Sequence, residues 1–141
     1  MSHAIRDFAP APRIATTVRS KLWIDRIVSG VAVLFLVMDG GMKLFKPAPV
    51  VDAFAQLGVP VSQSVGIGLV LLACTAIYAI PRTAVIGAIL LTGYLGGAIA
   101  IQLRVEAPVF SIVFPLIFAA LVWGGLYRRD ERVRSLLTPR R

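Results

Sequence analysis

Three stretches of this chain run for more than twenty residues without a charge. They are Ala53–Pro81 with 29 residues, Thr83–Leu103 with 21 and Ala107–Tyr127 with 21. A helix needs about 20 apolar residues to cross roughly 30 Å of hydrocarbon. The last two stretches fit one crossing each. The front of the first is broken by Gln56, Gly58 and Pro60, so that span is placed at 62–80. Upstream, Ile27–Met38 is apolar and is extended by Leu22–Ile24 and Leu44–Phe45, which makes another span of 25–45. The composition agrees. In 141 residues, 57% are hydrophobic and 16% are charged, against about 25% charged in a soluble domain. A soluble domain, a disordered chain and a disulfide scaffold are all excluded on these numbers.

The expected fold is all-α: an integral membrane four-helix up-down bundle with spans at 25–45, 62–80, 84–103 and 109–127. The short connections at 81–83 and 104–108 make consecutive helices antiparallel neighbours. The longer connection, 46–61, carries Val50, Val51, Phe54 and Leu57 at helical spacing, opened by Pro47 and Pro49 and closed by Gly58. It reads as a short interfacial helix between spans 1 and 2. Residues 1–24 read as a flexible basic leader, 25–127 as the membrane domain and 128–141 as a basic tail. Pro115 falls inside the last span, where a kink is expected, with Ser111 one turn earlier.

Twelve of the fifteen Lys and Arg residues lie on the side of the termini, and Lys43, Lys46 and Arg104 lie on the other. The positive-inside rule therefore places both termini in the cytoplasm. Trp23, Trp123 and Tyr127 fall near span ends as interfacial anchors. The first apolar run follows a long charged leader without a small-residue cleavage site, so it reads as a retained anchor. The net charge of +8 is explained by topology and anionic lipid, and no aromatic-basic pattern points to nucleic acid.

Reactive side chains are few. His3 is the only histidine and Cys74 the only cysteine. A lone thiol cannot cycle a disulfide by itself, and in mid-span Cys74 reads as a small core residue. No metal-ligating cluster is visible, so no metal is expected. Asp39 and Lys43 are the notable pair, since ionisable groups within a span are costly. Their i, i+4 spacing, acid first, suits an ion pair. Asp39 lies about 9 Å below the helix end at Phe45. The pair is either a structural ion pair or the polar floor of a ligand cavity. Tyr94 is a mid-span phenol that needs a hydrogen-bond partner, either a neighbouring helix or a ligand carbonyl. Gly93 and Gly97 form a G-x-x-x-G pair, read as a helix-packing face within the bundle or between copies in a homo-oligomer. Gln102, Arg104 and Glu106 end the third span on the side of Lys43, where they would join Asp39 and Lys43 in one polar cluster if those helices were neighbours.

Several motifs in order resemble the DoxX-like family of small four-helix membrane proteins. They are Arg26-Ile27-Val28-Ser29-Gly30, Gly40-Gly41-Met42-Lys43-Leu44, Phe54-x-x-Leu57-Gly58-Val59-Pro60, and Leu91-Thr92-Gly93-Tyr94-Leu95-Gly96-Gly97-Ala98-Ile99-Ala100 followed by Arg104-Val105. The resemblance covers about 26–127. It implies a bacterial inner-membrane bundle. Some relatives are named for a subunit of a thiosulfate:quinone oxidoreductase, and others are associated with oxidoreductase or stress-response assemblies. Many relatives carry a His just before the Arg that ends the third span, where this chain has Gln102. Three functions remain in play. The first is an accessory or binding subunit for a quinone-like lipophile or a membrane-associated oxidoreductase, with Asp39, Lys43, Tyr94, Gln102 and Arg104 as candidate ligand-binding residues. The second is a small proton-coupled transporter using Asp39. The third is an autonomous membrane enzyme using Asp39 and Tyr94.

Overall fold

The computed structural model describes residues 14–137, and the side chains of residues 27–131 and 133–135. Residues 1–13, the basic side chains of the leader, the Trp23 ring, Arg140 and Arg141 lie outside the described residues. Six helices follow in order: α1 (Ile14–Phe45), α2 (Ala48–Gln56), α3 (Ser64–Ala79), α4 (Ala84–Arg104), α5 (Val109–Arg129) and α6 (Glu131–Leu137). A single 3-10 turn, Val61–Gln63, leads into α3. There is no strand among the described residues.

The four long helices match the four spans, and each carries an apolar window long enough to cross a bilayer. Only 22–33% of each window is buried inside the bundle. Helices that are apolar all round and mostly unburied require lipid as their solvent. The chain is a multi-pass membrane protein. Two boundaries differ from the sequence reading. The helix of span 1 begins at Ile14 rather than 25, so the later part of the leader is helical. The tail also continues as α6, which seats Val133 in the core at 4% exposure.

The turns follow from local chemistry. Pro47 caps α2 and Pro49 lies in its first turn, where a missing N–H costs nothing. Gly58, at φ +65, then ends the helix. Its N–H bonds the Ala55 carbonyl at 3.1 Å, and the Val59 N–H bonds that of Phe54 at 3.0 Å. This pair of bonds is the Schellman motif, which needs a left-handed residue at the Gly58 position. Phe54 is the buried residue of α2. α4 ends in the same way, with Glu106 at φ +53 and the Ala107 N–H on the Gln102 carbonyl at 3.0 Å.

The long helices form a ring in the order α1, α3, α4, α5, so α1 and α4 face each other across a diagonal. The contacts between neighbours are close because glycines sit at the crossings. A Cβ on Gly68 would lie 2.8 Å from the Gly40 carbonyl oxygen and 2.9 Å from the Lys43 Cβ, which marks the α1–α3 crossing. Gly87 lies against the Tyr78 backbone between α3 and α4, and Gly125 lies against Ser29 between α5 and α1. Of the two packing roles open to Gly93 and Gly97, the one within the bundle is not taken. Gly93 and Gly97 have nothing within 4 Å of where a Cβ would stand, and both are exposed on the outside of α4.

The core includes Leu36, Leu71, Cys74, Tyr78, Leu91, Leu95, Phe118 and Val122. Phe35 stacks on Phe118 with centroids 4.3 Å apart and meets Phe114 edge-on at 5.4 Å, joining α1 to α5. Tyr78, fully buried, donates to the Val122 carbonyl at 2.9 Å. The Arg129 guanidinium lies over the Tyr78 ring at 4.7 Å and donates to its carbonyl at 2.8 Å. That bond satisfies one of the carbonyls orphaned at the end of α3. The Trp123 indole N–H donates to the Thr92 hydroxyl at 2.8 Å and ties α5 to α4. Tyr127 lies under the Arg134 guanidinium at 5.8 Å. α5 runs through Pro115 without a break.

Candidate functional site

The bundle has a proximal end, near the chain termini, and a distal end, where α1 and α4 finish and α3 and α5 begin. The candidate residues lie in the distal half. Lys43 donates to the Asp39 carboxylate at 2.5 Å, as their one-turn spacing predicts. Their side chains are 16% and 34% exposed, respectively. Asp39 stands between Gly40, which packs on α3, and Leu36, which is in the core. The pair therefore belongs to the inner side of α1.

Tyr94 enters from the opposite corner. It lies between core Leu91 and Leu95 in the α4 sequence and is partly buried, packed against the core. It has no hydrogen-bond partner among the described residues. Its other side lines a cavity of about 380 Å³ between α3 and α4, with Gln63, Gly66, Ile67 and Val70. Tyr94 thus stands between the α3–α4 cavity and the bundle core.

The single polar cluster expected at the distal mouth does not form, because α1 and α4 are diagonal. Arg104 makes no bond to Asp39 or Lys43 among the described residues, and one guanidinium N–H reaches the Leu57 carbonyl at 3.3 Å. Gln102 is half-buried and Glu106 exposed, and neither bonds the ion pair among the described residues. Arg104 instead lines a second cavity, of about 400 Å³, with Val59, Pro60, Gln63, Ala100 and Ile101. The two cavities adjoin at Gln63, which lines both. Both lie along α3 and α4 in the distal half, one at Arg104 and the other at Tyr94.

Two buried hydroxyls were not legible as special. Ser64 and Ser29 are 0% and 5% exposed, and neither hydroxyl has a partner among the described residues. Ser64 opens α3 one turn before Gly68, on the side of Lys43. A serine in an apolar span carries no pattern that separates it from a helix hydroxyl bonded to its own backbone. Cys74 is free and buried in the core. No group of three or more His, Cys, Asp or Glu that could hold a metal occurs among the described residues.

A family model described as the DoxX-like family matches residues 27–125, which takes in all four spans up to the last turn of α5. The chain belongs to the DoxX-like family. The match covers the ion pair, Tyr94 and both cavities, and leaves out the leader and α6. No curated protein and no solved structure matches the chain.

Proposed function

We propose that this DoxX-like protein is a binding subunit that takes a quinone-like lipophile from the bilayer into the α3–α4 cavity at Tyr94. The observation that carries this reading is the Tyr94 phenol. It is a hydrogen-bond donor without a partner among the described residues, at the floor of an apolar cavity of about 380 Å³. Cavities of ~300–1,000 Å³ with few polar groups are typical of small-molecule sites. A flat quinone ring fits this lining: the ring packs on Ile67 and Val70, and a carbonyl accepts from Tyr94. A bound quinone would supply two-electron redox chemistry. The chain's own part is to hold the ring, donate one hydrogen bond and exclude water. A membrane-associated oxidoreductase would then be the partner that performs the reaction.

The transporter and enzyme readings both need a carboxylate available for proton exchange. Asp39 already has Lys43 at 2.5 Å, which favours a fixed polar element. The family and the charge distribution support a place in the bacterial inner membrane with both termini cytoplasmic.

The test is native mass spectrometry of the full chain extracted with its lipids, after incubation with a short-chain ubiquinone. Retention of quinone by the wild type is expected, with a loss of roughly fivefold for Tyr94→Phe, the worth of one hydrogen bond. A wild type that retains no quinone, or a Tyr94→Phe variant that retains it equally, overturns the reading.

A further inference from the structure

The Arg104 cavity has its own chemistry. Arg104 is the last residue of α4, at the depth where a span meets the headgroups, and its side chain is exposed. A guanidinium has five N–H donors. One makes the long 3.3 Å bond to the Leu57 carbonyl, and no carboxylate pairs with Arg104 among the described residues. None of the residues around this cavity is acidic. Glu106, two residues on, is exposed and does not line this cavity. A cation at interfacial depth with no carboxylate partner among the described residues, beside a mostly apolar cavity, matches an amphiphile with an anionic head.

The Arg104 cavity and the Tyr94 cavity lie at different depths. Tyr94 and Arg104 are ten residues apart on one helix, which is about 15 Å of rise. That is one leaflet, half of the roughly 30 Å hydrocarbon thickness. We propose that the Arg104 cavity seats the phosphate of an anionic phospholipid, with its acyl chain leaving the cavity into the bilayer rather than running on to Tyr94. Arg104 donates to the phosphate oxygens, Gln63 offers its amide, and Val59, Ala100 and Ile101 carry the start of the chain. A quinone has no anion to offer this end, so the lipid site stands whether or not Tyr94 binds a lipophile.

The experiment uses the full chain in bilayers of phosphatidylcholine with a minor fraction of phosphatidylglycerol. Native mass spectrometry counts the lipids that survive activation. The wild type is expected to keep one phosphatidylglycerol per chain that Arg104→Gln loses, with occupancy falling about tenfold, as for a charge-assisted bond. Arg104→Lys is expected to keep part of it. Lys46→Gln, an exposed distal cation outside the cavity, is expected to keep all of it. Ala100→Trp fills the cavity while leaving Arg104 in place, and is expected to lose the lipid as well. The proposal is overturned if Arg104→Gln and Ala100→Trp both retain the adduct, or if Lys46→Gln loses it as completely as Arg104→Gln. Quinone retention in the same samples reports on Tyr94 separately.

Discussion

Replacing Gly87 by alanine tests the packing logic of the bundle directly. A methyl group there would stand 2.7 Å from the Tyr78 Cβ and closer still to the Tyr78 backbone N and Cα. Carbon atoms are comfortable at ~3.5–4.0 Å, so α3 and α4 would have to part by about 1 Å. The obstructing atoms are backbone, and no rotamer change relieves them. The parting would loosen Ala84, Ala88 and Leu91, all at 1% exposure or less, from the α3 face. Alanine gains about 1 kcal/mol of helix propensity over glycine, while overpacking of this kind costs ~1–3 kcal/mol and occasionally more. At this crossing the cost exceeds the gain, because every nearby atom is fixed. Thermal unfolding in one fixed detergent, followed by near-ultraviolet circular dichroism, is expected to show Tm lowered by about 3–10 °C. An unchanged or raised Tm would refute the argument that this glycine sets the distance between α3 and α4.

Gly93→Ala and Gly97→Ala provide the contrast. With nothing within 4 Å of either position, both are expected to hold or slightly raise Tm in the same melt. A fall in Tm together with loss of an oligomeric species on cross-linking would show that this face packs between copies. Tyr78→Phe removes the hydroxyl that donates to the Val122 carbonyl, which stays within the α5 ladder. A destabilisation of about 1 kcal/mol is expected by reversible unfolding in mixed micelles, and no change in stability would show that this hydrogen bond contributes nothing.

How much of the site was legible follows from which interactions are local. The Asp39–Lys43 pair could be read from its one-turn spacing, because i, i+4 partners meet on any helix. The stop at Gly58 could be read for the same reason. The fate of Arg104 could not: its bond to Leu57 spans 47 residues and depends on where α2 returns. Tyr94 was marked as a phenol in need of a partner. Its place between the cavity and the core required knowing how α3 and α4 pack.

The sequence alone determined the number of spans, their approximate limits and the short helix between the first two. In lipid every backbone N–H and C=O must pair within its own helix, so a charge-free run of the right length has one outcome. What it could not decide is which face of each helix turns inward. In a soluble bundle the apolar stripe marks the buried face, but here lipid and core are equally apolar. Gly93 and Gly97 therefore looked as good a packing pair as Gly40, Gly68, Gly87 and Gly125. Only the tertiary arrangement separates them, because close backbone approach depends on where two helices cross.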